Sequence, residues 1–169
     1  MHSPVMTSER TEIAPHVPTW LDTLVQEPHL PTREQAIKWV IVIDRELPAG
    51  LQVNAAACLS AAVGKAAPAM VGRSGGDATG GPHVGLPWTG CTVLAATAPI
   101  LKTIRATALA ERDLLVGDMV ATAQHVRVYD DYLTELARLH EDDLTYFAVS
   151  IAGPRPLVDR LTGRFPLLR

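Results

Sequence analysis

Cysteine is nearly absent: Cys58 and Cys91 are the only two in 169 residues. Both sit among apolar neighbours and neither has the spacing of a metal site, so a disulfide framework and a structural metal are both excluded. A cytoplasmic, reducing compartment suits such a chain. Basic charge is lacking as well. The formal net charge is -3, and a protein that grips a phosphate backbone shows a basic stripe, so nucleic acid is not an expected partner. No apolar run approaches the roughly 20 residues that cross a bilayer, so no membrane partner is expected. The opening Met1-His2-Ser3-Pro4 has no basic stretch followed by an apolar core, so no secretory signal is read there. Nothing in the sequence has the pattern of a cofactor or metal motif, and no internal repeat occurs.

What remains is ordinary globular material. At 47% hydrophobic and 20% charged residues, the body of the chain has enough apolar surface to build one core. Residues 1–32 differ: they carry Pro4, Pro15, Pro18, Pro28 and Pro31 and three of the six histidines. They read as a flexible, Pro-rich arm, expected to be dispensable for folding. Within it Trp20, Leu21, Leu24 and Val25 recur at helical spacing, which predicts one short docking helix over 19–27.

Residues 33–169 read as a single α/β domain. Residues 39–43, Trp-Val-Ile-Val-Ile, form a β-branched run typical of a central strand covered on both faces. Residues 51–67 are almost all apolar or small and stop before Pro68, which predicts a buried helix. A Gly-rich loop spans 71–88. Strands are then predicted at 91–95, 114–120 and 146–152. Helices are predicted from Pro99 to about 112, over 129–140 and near 157–161. Alternating strands and helices give a layered α/β domain.

Four stretches carry a resemblance that covers roughly residue 38 to the end. They are residues 38–44 (Lys-Trp-Val-Ile-Val-Ile-Asp), 54–59 (Asn-Ala-Ala-Ala-Cys-Leu), the Gly-rich loop leading into 91–96, and Gly153-Pro154 with Val158-Asp159-Arg160-Leu161. Together they resemble the uncharacterised family named domain of unknown function 2000. That family is similar in fold to peptidyl-tRNA hydrolases of the archaeal and eukaryotic type. The resemblance implies a three-layer domain with a mixed four-stranded sheet, and a homodimer. The hydrolases carry a Gly-Lys pair followed by Ala, Gln and His along the first helix, and they need that lysine. Here no lysine lies between Lys38 and Lys65, and the helix has no histidine. Ester cleavage beside a polyanion needs a cation near the developing charge, so efficient peptidyl-tRNA hydrolysis is not expected.

The candidate site residues follow from position. Ligands of open α/β sheets bind beyond the carboxyl ends of the strands, which singles out Asp44, Asn54, Thr122 and His125. Asn54, read as standing in the first turn of a buried helix, either lines a site or caps the helix. Asp44 is a ligand-orienting carboxylate or a turn residue. His125 fits acid/base chemistry near neutral pH, or is an ordinary loop histidine. In the Gly-rich loop, Ser74, Asp77, Thr79 and His83 form a polar cluster, although Gly72-Arg-Ser-Gly-Gly is no P-loop. Cys58 and Cys91 fit small apolar packing better than nucleophilic roles.

Three readings of function stand side by side. The first is a small-molecule site at the strand ends, lined by Asn54, the Gly-rich loop and residues 122–125, with the question of catalysis open. The second is a non-catalytic regulatory or protein-binding module, whose arm and loop engage a protein partner. The third is a hydrolase of peptidyl- or aminoacyl-tRNA.

Overall fold

A computed structural model of the chain describes residues 16–169. Strand β1 (Ile37–Asp44) is its centre. The remaining long strands are β4 (Thr92–Ala96), β5 (Leu115–Val120) and β6 (Tyr146–Pro154), and the sheet order is β4-β1-β6-β5. β1 is parallel to β4, whereas β6 is antiparallel to both β1 and β5. The carboxyl ends of β1, β4 and β5 therefore share one end of a mixed four-stranded sheet.

The uninterrupted apolar run of β1 has a direct cause. Ile37, Trp39, Ile41 and Ile43 pack under helix α1 (Ala49–Ala66), while Val40 and Val42 pack under α2 (Ala98–Leu109) and α5 (Arg155–Thr162). Both faces are covered, so alternation with polar residues is not needed. Each such side chain, fully buried, contributes about 1.5–3 kcal/mol. One edge of the sheet is also covered. The Ala95 amide donates to Pro166 O at 2.9 Å and the Leu168 amide to Val93 O at 3.1 Å, which lays the C-terminal tail along β4.

Helix α1 departs from expectation. It begins at Ala49, so Asn54 stands in its second turn, and only Ala55, Leu59 and Val63 are buried. Val53, Asn54, Ala57 and Cys58 face outwards and are exposed. The sheet covers one side of the helix alone, and alanine is indifferent to which side it occupies.

The predicted helix over 19–27 is a single 3-10 turn, Thr19–Leu21. An isolated helix of this length is not self-sustaining. A turn followed by extended chain instead lets Trp20, Leu21 and Leu24 all reach the core below α1. The Trp20 indole N–H donates to Asp113 O at 3.0 Å and Gln26 Nε2 to Ala69 O at 2.6 Å. The first fifteen residues of the proposed arm lie outside the described residues. Two short helices, α3 (Thr122–His125) and α4 (Tyr129–Leu136), fill the β5–β6 connection; the predicted 129–140 helix ends four residues early.

Candidate functional site

The Gly-rich loop is a tied excursion. At its base the Gly72 amide donates to Leu86 O at 2.9 Å and the Trp88 amide to Met70 O at 3.2 Å. Gly85 makes this closure sterically possible, because a Cβ there would lie 1.8 Å from the Gly72 carbonyl oxygen. Further out, β2 (Gly75–Gly76) pairs with β3 (Pro82–His83). At the tip, Asp77 Oδ1 accepts from the Thr79 amide (2.8 Å), the Thr79 hydroxyl (2.6 Å) and the Gly81 amide (3.0 Å). The Thr79 hydroxyl above all, with the two amides and then His83, holds the Asp77 carboxyl at a pKa of about 2.

Beneath the base of this loop lies a cavity of about 360 Å³. Its wall is Trp39 from β1; Ser60, Val63, Gly64 and Ala67 from and just after α1; Met70, Val71, Gly85 and Pro87 from the loop's two arms; and Cys91 before β4. The helix supplies three residues because the spacing 60, 63 and 64 keeps one face, and Ala67 follows at its C-cap. Trp39 presents only carbon to the space, since its indole N–H is spent on Ser150 Oγ at 2.9 Å. Trp39 and Met70 are themselves core residues, 4% and 1% exposed. Among the described residues no charged side chain lines the cavity. Cys91 is exposed as a residue, yet desolvation of its thiol pushes the pKa up to about 12, so it stands as S–H near neutral pH.

The sequence-derived candidates fall elsewhere. Asp44 is buried at the end of β1, where Oδ1 accepts the Glu46 amide at 3.1 Å in a local turn. Thr122 and His125 are brought together: with Glu135, Arg138 and Leu139 they line an open hollow of about 420 Å³ near the carboxyl end of β5. A neighbouring hollow of about 470 Å³ adds Arg127 and Asp131. Asn54 lines neither of these nor the loop cavity. Ser74 is exposed beside β2, and His83 is exposed with Nε2 3.4 Å from Asp77 Oδ2. Because α1 runs back along β1, the cavity sits near the start of β1, away from the strand ends that carry Asp44 and Thr122. The six candidates do not form one site.

Sequence reasoning missed a second feature. Arg105 on α2 donates from Nε to Asp118 Oδ2 at 2.6 Å and from an Nη to Glu141 Oε1 at 3.1 Å. Its guanidinium lies 4.8 Å from the centroid of the Tyr146 ring. Burial opposes the Arg105 charge, but Asp118 outweighs it and raises the pKa further. Burial chiefly raises the Tyr146 pKa, and its hydroxyl is buried without a partner among the described residues. Arg105 is mostly spent on carboxylates, so the group ties α2 to the edge strand β5.

A mixed four-stranded sheet between helical layers makes this an α/β domain. The family described as "Protein of unknown function (DUF2000)" matches residues 37–169, and the chain belongs to it. Among solved structures it is similar to a protein of unknown function, Atu0240, from Agrobacterium tumefaciens strain C58, at a TM-score of 0.71 and 16% identity. The match covers 79% of this chain and 98% of that one, and it shows a shared fold. No curated protein matches the chain.

Proposed function

We propose that this protein binds a small molecule in the cavity between α1 and the base of the 71–88 loop. One observation carries the reading: a cavity of about 360 Å³ whose wall includes core residues Trp39 and Met70. That size and apolar character are what small-molecule sites have.

The test uses Gly64. A Cβ built there meets nothing within 4 Å, and Gly64 is on the cavity wall. Gly64→Leu should fill the space and also remove a glycine from the last turn of α1, which favours the helix by up to about 0.5–1 kcal/mol. Xenon reports apolar cavities without assuming a ligand. Under xenon pressure the wild-type amides of residues 60–70 should shift, and in Gly64→Leu they should not, with Tm unchanged or higher. Equal xenon responses in the two proteins would show that this cavity is not the binding space.

A second reading uses the hollow at the end of β5, where Thr122 and His125 share a wall with Glu135 and Arg138. That hollow is wide open to solvent, and its residues are exposed or half-buried. It ranks below the loop cavity because solvent competes for every polar group it offers.

A further inference from the structure

The lining of the loop cavity defines what it accepts, and this inference rests on the binding role proposed above. We infer that its occupant is an uncharged, compact molecule of about two fused rings, whose one polar group is met by the Ser60 hydroxyl.

Size comes first. An apolar cavity of about 150 Å³ takes a benzene, and this one measures about 360 Å³. Two rings fit where a long chain would have to leave through the mouth.

Charge comes next. An ion moved into such a space keeps its charge only with a counter-charge or several strong hydrogen bonds. Among the described residues the wall offers no Asp, Glu, Lys, Arg or His. Its polar side chains are Ser60 and Cys91, and the thiol, with its pKa pushed up to about 12, brings no negative charge. A neutral thiol is also a poor hydrogen-bonding group, which leaves the hydroxyl as the stronger directional contact. Ser60 sits one helical turn before Gly64 on the same wall, so a ring lying over Gly64 can place a hydroxyl or carbonyl at Ser60. Trp39 and Met70 supply the flat and adaptable apolar surfaces that aromatic rings favour.

The experiment compares four probes on one skeleton, binding to the full chain at pH 7: 2-naphthol, 2-methylnaphthalene, 2-naphthoate and 2-naphthylmethylammonium. Expected is binding of the two neutral probes, with both ions at least about tenfold weaker. Ser60→Ala should weaken 2-naphthol by about five- to tenfold, the span of one hydrogen bond, and leave 2-methylnaphthalene unchanged. Gly64→Leu should weaken all binding. If either ion binds as tightly as 2-naphthol and Gly64→Leu abolishes that binding, the cavity role stands and the charge rule is overturned. If Ser60→Ala weakens both neutral probes alike, the assigned polar contact is wrong. If none of the four binds although xenon enters the cavity, the two-ring occupant is overturned and the cavity role survives. If xenon is excluded as well, both readings fall.

Discussion

At the scale of single residues, the Gly-rich loop shows how a polar cluster resolves into one organiser and its clients. Ser74, Asp77, Thr79 and His83 stand together in the sequence as equals. In the structure three donors converge on Asp77 Oδ1, and the carboxylate closes a turn that also needs Gly80 at φ +85°. Sequence can nominate such residues, but not which oxygen receives which hydrogen. The pH consequence is specific. The folded pKa of about 2 lies below the ordinary 3.8, so the turn is reinforced above about pH 4, and that support is lost as pH falls through about 2. A carboxyl-carbon NMR titration of Asp77 should give a midpoint near 2, with the Thr79 and Gly81 amide shifts moving in step. A midpoint near 4 would mean that the turn does not form in solution.

At the scale of elements, strands were easier to read than helices. The β-branched run of β1 has one physical explanation, burial on both faces, and the structure has it there. Helix α1 is ambiguous because alanine-rich sequence carries no marked face, and the outward stripe with Asn54 and Cys58 follows only from where the sheet lies. The segment around Trp20 shows tertiary contact overriding local periodicity. Its apolar side chains match helical spacing, yet they serve as anchors for a strap across the core. Trp20→Ala should lower stability by about 2–3 kcal/mol, less than the 3–5 kcal/mol of a fully buried tryptophan, because Trp20 is only half-buried. Deleting residues 1–32 should lower Tm further while keeping one cooperative transition, because Pro18 is the one buried residue in 16–32 and the strands and helices of the core begin at Ile37. Thermal unfolding of both variants checks this. A broad, non-cooperative melt of the deletion would make the strap part of the folding unit.

At the scale of the whole molecule, the sheet and its layers were legible because alternating strands and helices admit few topologies. The candidate cavity was not, because it is made by distant pieces: the start of β1, the end of α1 and both arms of a loop. The one local trace is the run Ser60, Val63 and Gly64, which shares a helical face, and its meaning depends on the loop that folds over it. The same separation of fold from site bears on the hydrolase expectation, since architecture alone does not carry chemistry with it. Helix α1 has a single charged residue, Lys65, in its last turn, and the chain as a whole carries -3. A tRNA ester at the start of α1 would meet no lysine on the helix there, and Arg45 in the turn before it pairs with Glu46 at 3.1 Å. Nor would its phosphates find the counter-charge that drives polyanion binding. Incubated with an N-blocked aminoacyl-tRNA, the protein should release no peptide or amino acid above the rate without enzyme. Placing a lysine by Gly50→Lys should not create activity either, since one cation replaces neither the missing histidine nor the phosphate surface. Wild-type turnover of about 1 per second or faster, within the ordinary range for enzymes, would overturn this and move the search for the site from the loop cavity to the start of α1.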